Sequence, residues 1–159
     1  MQKRVVCENL RSAYNVGNII RTADGLGRGV ILVWYTAPKE HKKVTKTALG
    51  AQETVLLLQF ETLDQFYNWA SDNKVAFLSA EKTADSIWLR DQQFLDYIHH
   101  HRSASSLVLV MGNEVTGVET STLEQSDYIV HIPMLGSKES FNVGQAAAII
   151  MWQIDILTA

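Results

Sequence analysis

The chain has one cysteine, two prolines and no apolar run approaching the roughly 20 residues that cross a bilayer. A lone Cys7 excludes an intramolecular disulfide, points to a reducing compartment, and reads as a small buried hydrophobe. The first residues, Met1-Gln2-Lys3-Arg4-Val5-Val6-Cys7-Glu8, lack the apolar core of a secretory signal, so a cytoplasmic location with no membrane contact is expected. Repeats, linkers and low-complexity tracts are also missing, which leaves one domain over residues 1–159 with no separate RNA-binding domain. The histidines do not suggest a metal site. His99, His100 and His101 are consecutive and point in different directions, and no Cys or acidic partner stands at ligand spacing.

What is present suits one ordinary core: 47% hydrophobic and 19% charged residues in 159. The charge is unevenly placed. Residues 1–50 carry nine Lys/Arg against three acids, a net +6, whereas residues 51–159 carry five against fourteen, a net −9. A basic N-terminal third on an acidic protein suggests one face for a polyanion, or simply a solvated stretch.

Short continuous apolar runs at 4–7, 30–35, 55–58, 75–78, 107–111 and 128–132 read as strands buried on both faces. Helical spacing at 15–26, with Gly25 and Gly27 at its end, at 63–71 and at 143–157 alternates with them. The expected fold is α/β, with a mainly parallel sheet flanked by helices. The last helix has two apolar stripes. One holds Val143, Ala146, Ala147, Ile150, Met151, Ile154 and Leu157, the other Ile149, Trp152 and Ile156. Either this helix is wedged inside the domain or its second stripe meets another subunit, as in a homodimer.

Three polar clusters follow strands, at the edge where α/β sheets bind ligands. In the first, Asn15 reads as a helix N-cap and Arg21 lies two turns on, as a rim ion pair or a functional cation. The second, Met111-Gly112-Asn113-Glu114-Val115-Thr116-Gly117, is a turn that permits close backbone approach and presents a carboxylate. The third runs from Ile132-Pro133-Met134-Leu135-Gly136 to Ser140-Phe141-Asn142-Val143-Gly144, where a helix cap alone would not need so many polar groups. Gly25-Leu26-Gly27-Arg28-Gly29 is no dinucleotide fingerprint, because it follows a helix and precedes a strand.

Taken in order, Asn15-Val16-Gly17-Asn18-Ile19-Ile20-Arg21-Thr22-Ala23, Gly112-Asn113-Glu114-Val115-Thr116-Gly117 and the Ile132–Met134 to Ser140–Val143 stretch resemble the three motifs of the SpoU/TrmH-like RNA ribose 2′-O-methyltransferases. The run from Lys43 to Ala51 resembles the family's segment after its second strand. The resemblance covers nearly the whole chain. It departs at Ala13-Tyr14, where many members have Asp-Pro, and at Phe141 and Gly144 in the third motif.

The resemblance implies the SPOUT α/β fold with a deep trefoil knot at the C-terminal end, and a homodimer packed through the first and last helices. It implies S-adenosyl-L-methionine as cofactor, held by Met111, Gly112, Asn113, Gly117, Ile132, Pro133, Met134, Gly136, Ser140, Phe141 and Asn142. It implies tRNA or rRNA as substrate, with Arg21, Asn15, Glu114, Ser140 and Asn142 as the catalytic set. Arg21 would bind the adjacent phosphate and stabilise the developing alkoxide, since an arginine guanidinium is a poor base. Asn15 and Glu114 would orient Arg21 and the RNA, while Ser140 and Asn142 would shape the cofactor loop, reach the ribose and cap the last helix. Arg11, Arg21, Lys39, Lys42, Lys43 and Lys46 would contact RNA phosphates. Two rival readings are a non-catalytic RNA-binding module on the same scaffold and a SPOUT enzyme that methylates a base.

Overall fold

The computed structural model describes residues 1–101 and 106–158. Among these, seven strands form one sheet: β1 (Gln2–Glu8), β2 (Gly29–Val33), β3 (Leu57–Phe60), β4 (Ala76–Ala80), β5 (Ile87–Trp88), β6 (Ser106–Met111) and β7 (Tyr128–His131). Their spatial order is β3-β2-β1-β6-β4-β7-β5, and every neighbouring pair is parallel. The expected α/β architecture is thus observed, with the sheet wholly parallel.

The middles of β1, β2, β4 and β6 are apolar because both faces of the central sheet are covered. Along β1, Val5 and Cys7 join one buried cluster and Val6 the other. On the first face lie α1 (Ala13–Gly25), α5 (Gln92–His100) and α7 (Val143–Thr158), which bury Val16, Ile19, Ile20, Phe94, Ile98, Ala147 and Ile150. On the second, α4 (Leu63–Asp72) packs Phe66 and Ala70 against Ile31, Phe77 and Val108. Three short helices, α2 (Lys42–Ala48), α3 (Ala51–Thr54) and α6 (Thr120–Glu124), complete the described elements. Cys7 is fully buried, which pushes its thiol pKa well up and makes it inert.

Some boundaries differ from the sequence expectation. Ser12, not Asn15, caps α1: its Oγ accepts from the Asn15 amide at 3.3 Å, which frees the Asn15 side chain for tertiary contacts. β2 stops at Val33 because Trp34 adopts a left-handed backbone (φ 63°), turning Trp34 and Tyr35 out of the sheet. β3 begins two residues later than expected, at Leu57.

The order also locates the site. After β3 the chain crosses to β4, leaving a gap beside β1 that β6 later fills; β7 likewise enters between β4 and β5. Ligands of open parallel sheets bind beyond the strand C-termini where such order reverses. Here the strand ends concerned are Glu8, Ala80, Met111 and His131.

Candidate active site

A cleft of about 260 Å³ opens at the C-terminal ends of β4, β6 and β7. Its walls come from Ala80 at the end of β4 with Glu81 and Lys82, Met111 at the end of β6 with 112–115 and Gly117, Val130 and His131 of β7 with Ile132 after it, and Glu139, Ser140 and Phe141 before α7. Of the residues expected to hold a cofactor, Met111, Gly112, Asn113, Gly117, Ile132, Ser140 and Phe141 line it. Pro133, Met134, Gly136 and Asn142 do not line it. A larger cavity, about 510 Å³, lies at the opposite, N-terminal edge, between Lys3, Arg4, Arg28 and Asp155. None of the motif residues borders it, so the smaller cleft is the candidate.

The loop after β6 is closed on itself. Asn113 and Gly117 exchange backbone hydrogen bonds of 3.0 and 2.9 Å. The Asn113 side chain donates to the Asn9 carbonyl at 2.8 Å and accepts from the amides of Val115 and Thr116. Beneath it, buried Glu8 accepts from the Glu119 amide at 2.7 Å and from the Thr122 hydroxyl, anchoring α6. Burial pushes the Glu8 carboxyl up, against the pull of these donors.

This loop presents Glu114 to the start of α1. The Glu114 carboxylate accepts from the amides of Arg11 (2.8 Å) and Ser12 (3.0 Å) and from Asn15 Nδ2 (3.0 Å). Partial burial opposes its charge, but the donors from Asn15, Arg11 and Ser12 outweigh it and hold the carboxyl below the usual carboxylate range. Asn15 Oδ1 in turn accepts from Asn142 Nδ2 at 3.1 Å. Asn142 Oδ1 accepts from the amides of Gly144 (2.9 Å) and Gln145 (3.4 Å), so it caps α7. One residue from each motif therefore meets in a single network: Asn15, Glu114 and Asn142. Ser140 makes no capping bond, so Asn142 alone among the described residues performs the capping expected of both; Ser140 is exposed on the cleft wall.

Arg21 stands apart from this network. It is exposed on α1, with no ion pair to any described residue, despite its apolar neighbours in sequence. Those neighbours, Ile19, Ile20 and Ala23, face the sheet while Arg21 faces out.

The basic third is also split. Lys3 and Arg28 pair with Asp155 at 2.6 and 2.7 Å, and Arg4 is buried over Trp69, so all three are occupied at the N-terminal edge. Lys39 pairs with Glu53 at 3.3 Å. Arg11, Arg21, Lys42, Lys43 and Lys46 remain exposed.

Two cleft residues carried no sequence motif. Glu81 follows β4, and its Oε2 accepts from the Val118 amide at 3.0 Å, bracing the loop after β6 from the far side. His131 ends β7 with a buried Nδ1 that has no partner among the described residues, beside the cleft. Both are placed by the insertion of β6 and β7 into the sheet, which no local pattern announces.

The SpoU rRNA Methylase family matches residues 2–152. The chain belongs to this family. Among curated relatives, the 23S rRNA (guanosine-2′-O-)-methyltransferase RlmB of Bordetella pertussis is 30% identical over 156 residues, covering 94% of this chain and 57% of the relative. The chain thus spans little more than half the length of the curated relatives it matches. The AdoMet-bound rRNA methyltransferase of Sinorhizobium meliloti has a TM-score of 0.84 at 24% identity, over 98% of this chain and 56% of that one. The A. aeolicus TrmH/SpoU tRNA modifying enzyme has a TM-score of 0.79 at 24% identity, over 98% and 75%. The SpoU fold accordingly extends across the described sheet, and the Asn15–Glu114–Asn142 network sits where its three motif segments converge.

Proposed function

We propose that this domain transfers a methyl group from S-adenosylmethionine to a ribose 2′-hydroxyl of tRNA or rRNA. The observation that carries this reading is the convergence of the three motif segments, through Asn15, Glu114 and Asn142, beside one cleft. The residues present fit the cofactor. Gly112 and Gly117 bring main chain to the cleft wall, Ile132 and Phe141 offer apolar surface to an adenine, and His131 Nδ1, unpartnered among the described residues, is available for a hydrogen bond. Pro133, Met134 and Gly136, which do not line the cleft, belong to the segment that joins Ile132 to Ser140 and Phe141. The interleaving of β6 and β7 fits the C-terminal knot expected of the fold, which is part of this proposal.

When bound, S-adenosylmethionine supplies a sulfonium methyl group as the electrophile. The chain's part is to hold the ribose oxygen in line and to stabilise charge as it develops there. Glu114, kept ionised, fixes the backbone of Arg11 and Ser12 and the Asn15 amide. Asn142 locks Asn15 from the other side. Ser140 faces the cleft with its hydroxyl uncommitted to the helix. Arg21 holds the phosphate next to the reacting ribose, outside the cleft.

The test uses labelled S-adenosylmethionine and unmodified total RNA, followed by alkaline digestion. Label in alkali-stable dinucleotides is expected, because a methylated 2′-oxygen cannot attack its own phosphodiester. Label in mononucleotides means base methylation, and no transfer means a binding module. Separate tRNA and rRNA fractions assign the substrate class. RNA affinity should also fall with salt: five phosphate contacts from Arg11, Arg21, Lys42, Lys43 and Lys46 give a log–log slope of about −3.5. A flat salt dependence would remove that surface from the proposal.

The second stripe of α7 leaves Ile149 (40% exposed), Trp152 (59%) and Ile156 (54%) in water. A row of this kind, running beside α1, is the natural interface of a homodimer. Trp152→Glu should give a folded monomer in sedimentation equilibrium where the parent is a dimer, and an unchanged mass would refute this interface.

A further inference from the structure

On the far side of the loop held by Glu114 lies a third cavity, of about 280 Å³, with Arg11, Tyr14, Tyr35, His41 and Lys43 on its walls. Three observations set it apart from an ordinary surface hollow. First, its aromatic surface is presented to solvent. Tyr35 is 76% exposed and Tyr14 41%, unusual for rings with so much apolar area to bury. Tyr35 is held out by the left-handed backbone at Trp34, and its ring packs on Trp34 at 5.1 Å between centroids.

Second, the two walls are tied at a fixed separation. The buried Thr36 hydroxyl donates to the Cys7 carbonyl at 2.8 Å and accepts from the Leu10 amide at 3.1 Å, joining the segment after β2 to the end of β1 and the segment that follows it. Third, the charge on the walls is of one sign. Lys43 Nζ stands 5.7 Å from the Tyr14 ring centroid, Arg11 is exposed, and among the described residues no acidic side chain lines the cavity. The His41 Nδ1 accepts from the Lys43 amide at 3.2 Å, which leaves Nε2 as a donor.

An aromatic platform among cations, without acids, has the chemistry of a site for an unpaired nucleotide. The base stacks on the ring and the phosphate pairs with the cations. We propose that this cavity binds an unpaired RNA base flanking the nucleotide to be methylated, stacked on Tyr35, with Arg11 and Lys43 on its phosphate. The inference rests on the methyltransferase reading. It adds that this chain reads single-stranded RNA through its own core, since the Arg11 and Ser12 amides that wall this cavity also hold Glu114.

The experiment measures fluorescence anisotropy with a labelled single-stranded RNA of mixed sequence and with an otherwise identical strand made abasic at its central positions. Affinity for S-adenosylhomocysteine is measured by calorimetry alongside. The wild-type chain should prefer the strand with bases by about tenfold. Tyr35→Ala and Tyr35→Leu should erase that preference, and Tyr35→Phe should keep it. Cofactor-product affinity and melting temperature should match the wild type in all three, because Tyr35 is exposed and outside the cleft. Equal binding of both strands by the wild type, or a preference that survives in Tyr35→Leu, overturns the stacking site while leaving the methyltransferase reading intact. Failure to bind both RNA and S-adenosylhomocysteine overturns the two together.

Discussion

Arg21→Ala should lower methyl transfer at least about a hundredfold, the loss typical when one charge-stabilising donor is removed from a transition state. Melting temperature and S-adenosylhomocysteine affinity should stay as they are. Both halves follow from where α1 puts this side chain. Val16, Ile19, Ile20 and Ala23 carry the helix's packing, and Arg21 projects into solvent. Exposed substitutions that break no cap, pair or core contact stay within about 0.5 kcal/mol of the parent. The described cleft holds Glu81, Glu114 and Glu139 against Lys82, so it is poor in cations for a phosphate or a forming alkoxide. In the proposed reaction Arg21, outside the cleft, supplies what the cleft lacks.

Arg21→Lys separates two roles. In the proposed reaction the Arg21 guanidinium works through its charge and its planar fork of donors. Lysine keeps the charge and loses the fork, so single-turnover rates for Arg21→Lys should fall between those of Arg21→Ala and the wild type. Full activity in Arg21→Ala would remove this residue from the reaction.

The parts of this molecule that were legible in its sequence are those where local pattern and tertiary role coincide. β1, β2, β4 and β6 bury residues on both faces, so their apolar runs stand out, and β7 is marked by Ile129 beside the buried Val130. β5 has only Ile87 and Trp88, too short to carry a pattern. α5 packs Phe94, Tyr97 and Ile98 inward, but its polar outer face and consecutive histidines mask that stripe. Trp34 and Tyr35 extend the β2 run in composition and leave it in geometry, because a positive φ is invisible to hydropathy. At the site, Asn15, Glu114 and Asn142 could be picked out through motif order, whereas their mutual contacts depend on β6 lying beside β1. Glu81 and His131 had no signal at all. Counting charges overstated the basic face, since Arg4 and Arg28 are buried and Lys3 is paired.

Gly112→Ala should be the most damaging single-methyl change at the site, and Gly136→Ala among the mildest. A Cβ at Gly112 would lie 2.3 Å from the Val118 amide nitrogen and 2.4 Å from the Gly117 carbonyl carbon. These are backbone atoms and cannot rotate aside. The opposing strand of the loop is pinned by the Asn113–Gly117 bonds and by Glu81 on Val118, so relief requires breaking them. Overpacking of this kind costs about 1–3 kcal/mol, and loss of those hydrogen bonds adds to it. The same loop forms one wall of the cleft and positions Glu114, so S-adenosylhomocysteine affinity should drop by more than about tenfold, as a loss of about 1.4 kcal/mol would give. Gly136 has a negative or extended φ and nothing within 4 Å of an added Cβ. Its substitution should stay within about 0.5 kcal/mol in urea denaturation and leave binding intact. If the two variants unfold at the same urea concentration and bind alike, the loop after β6 is not the rigid wall described here, and the cleft must be formed by a rearrangement of that loop when the ligand enters.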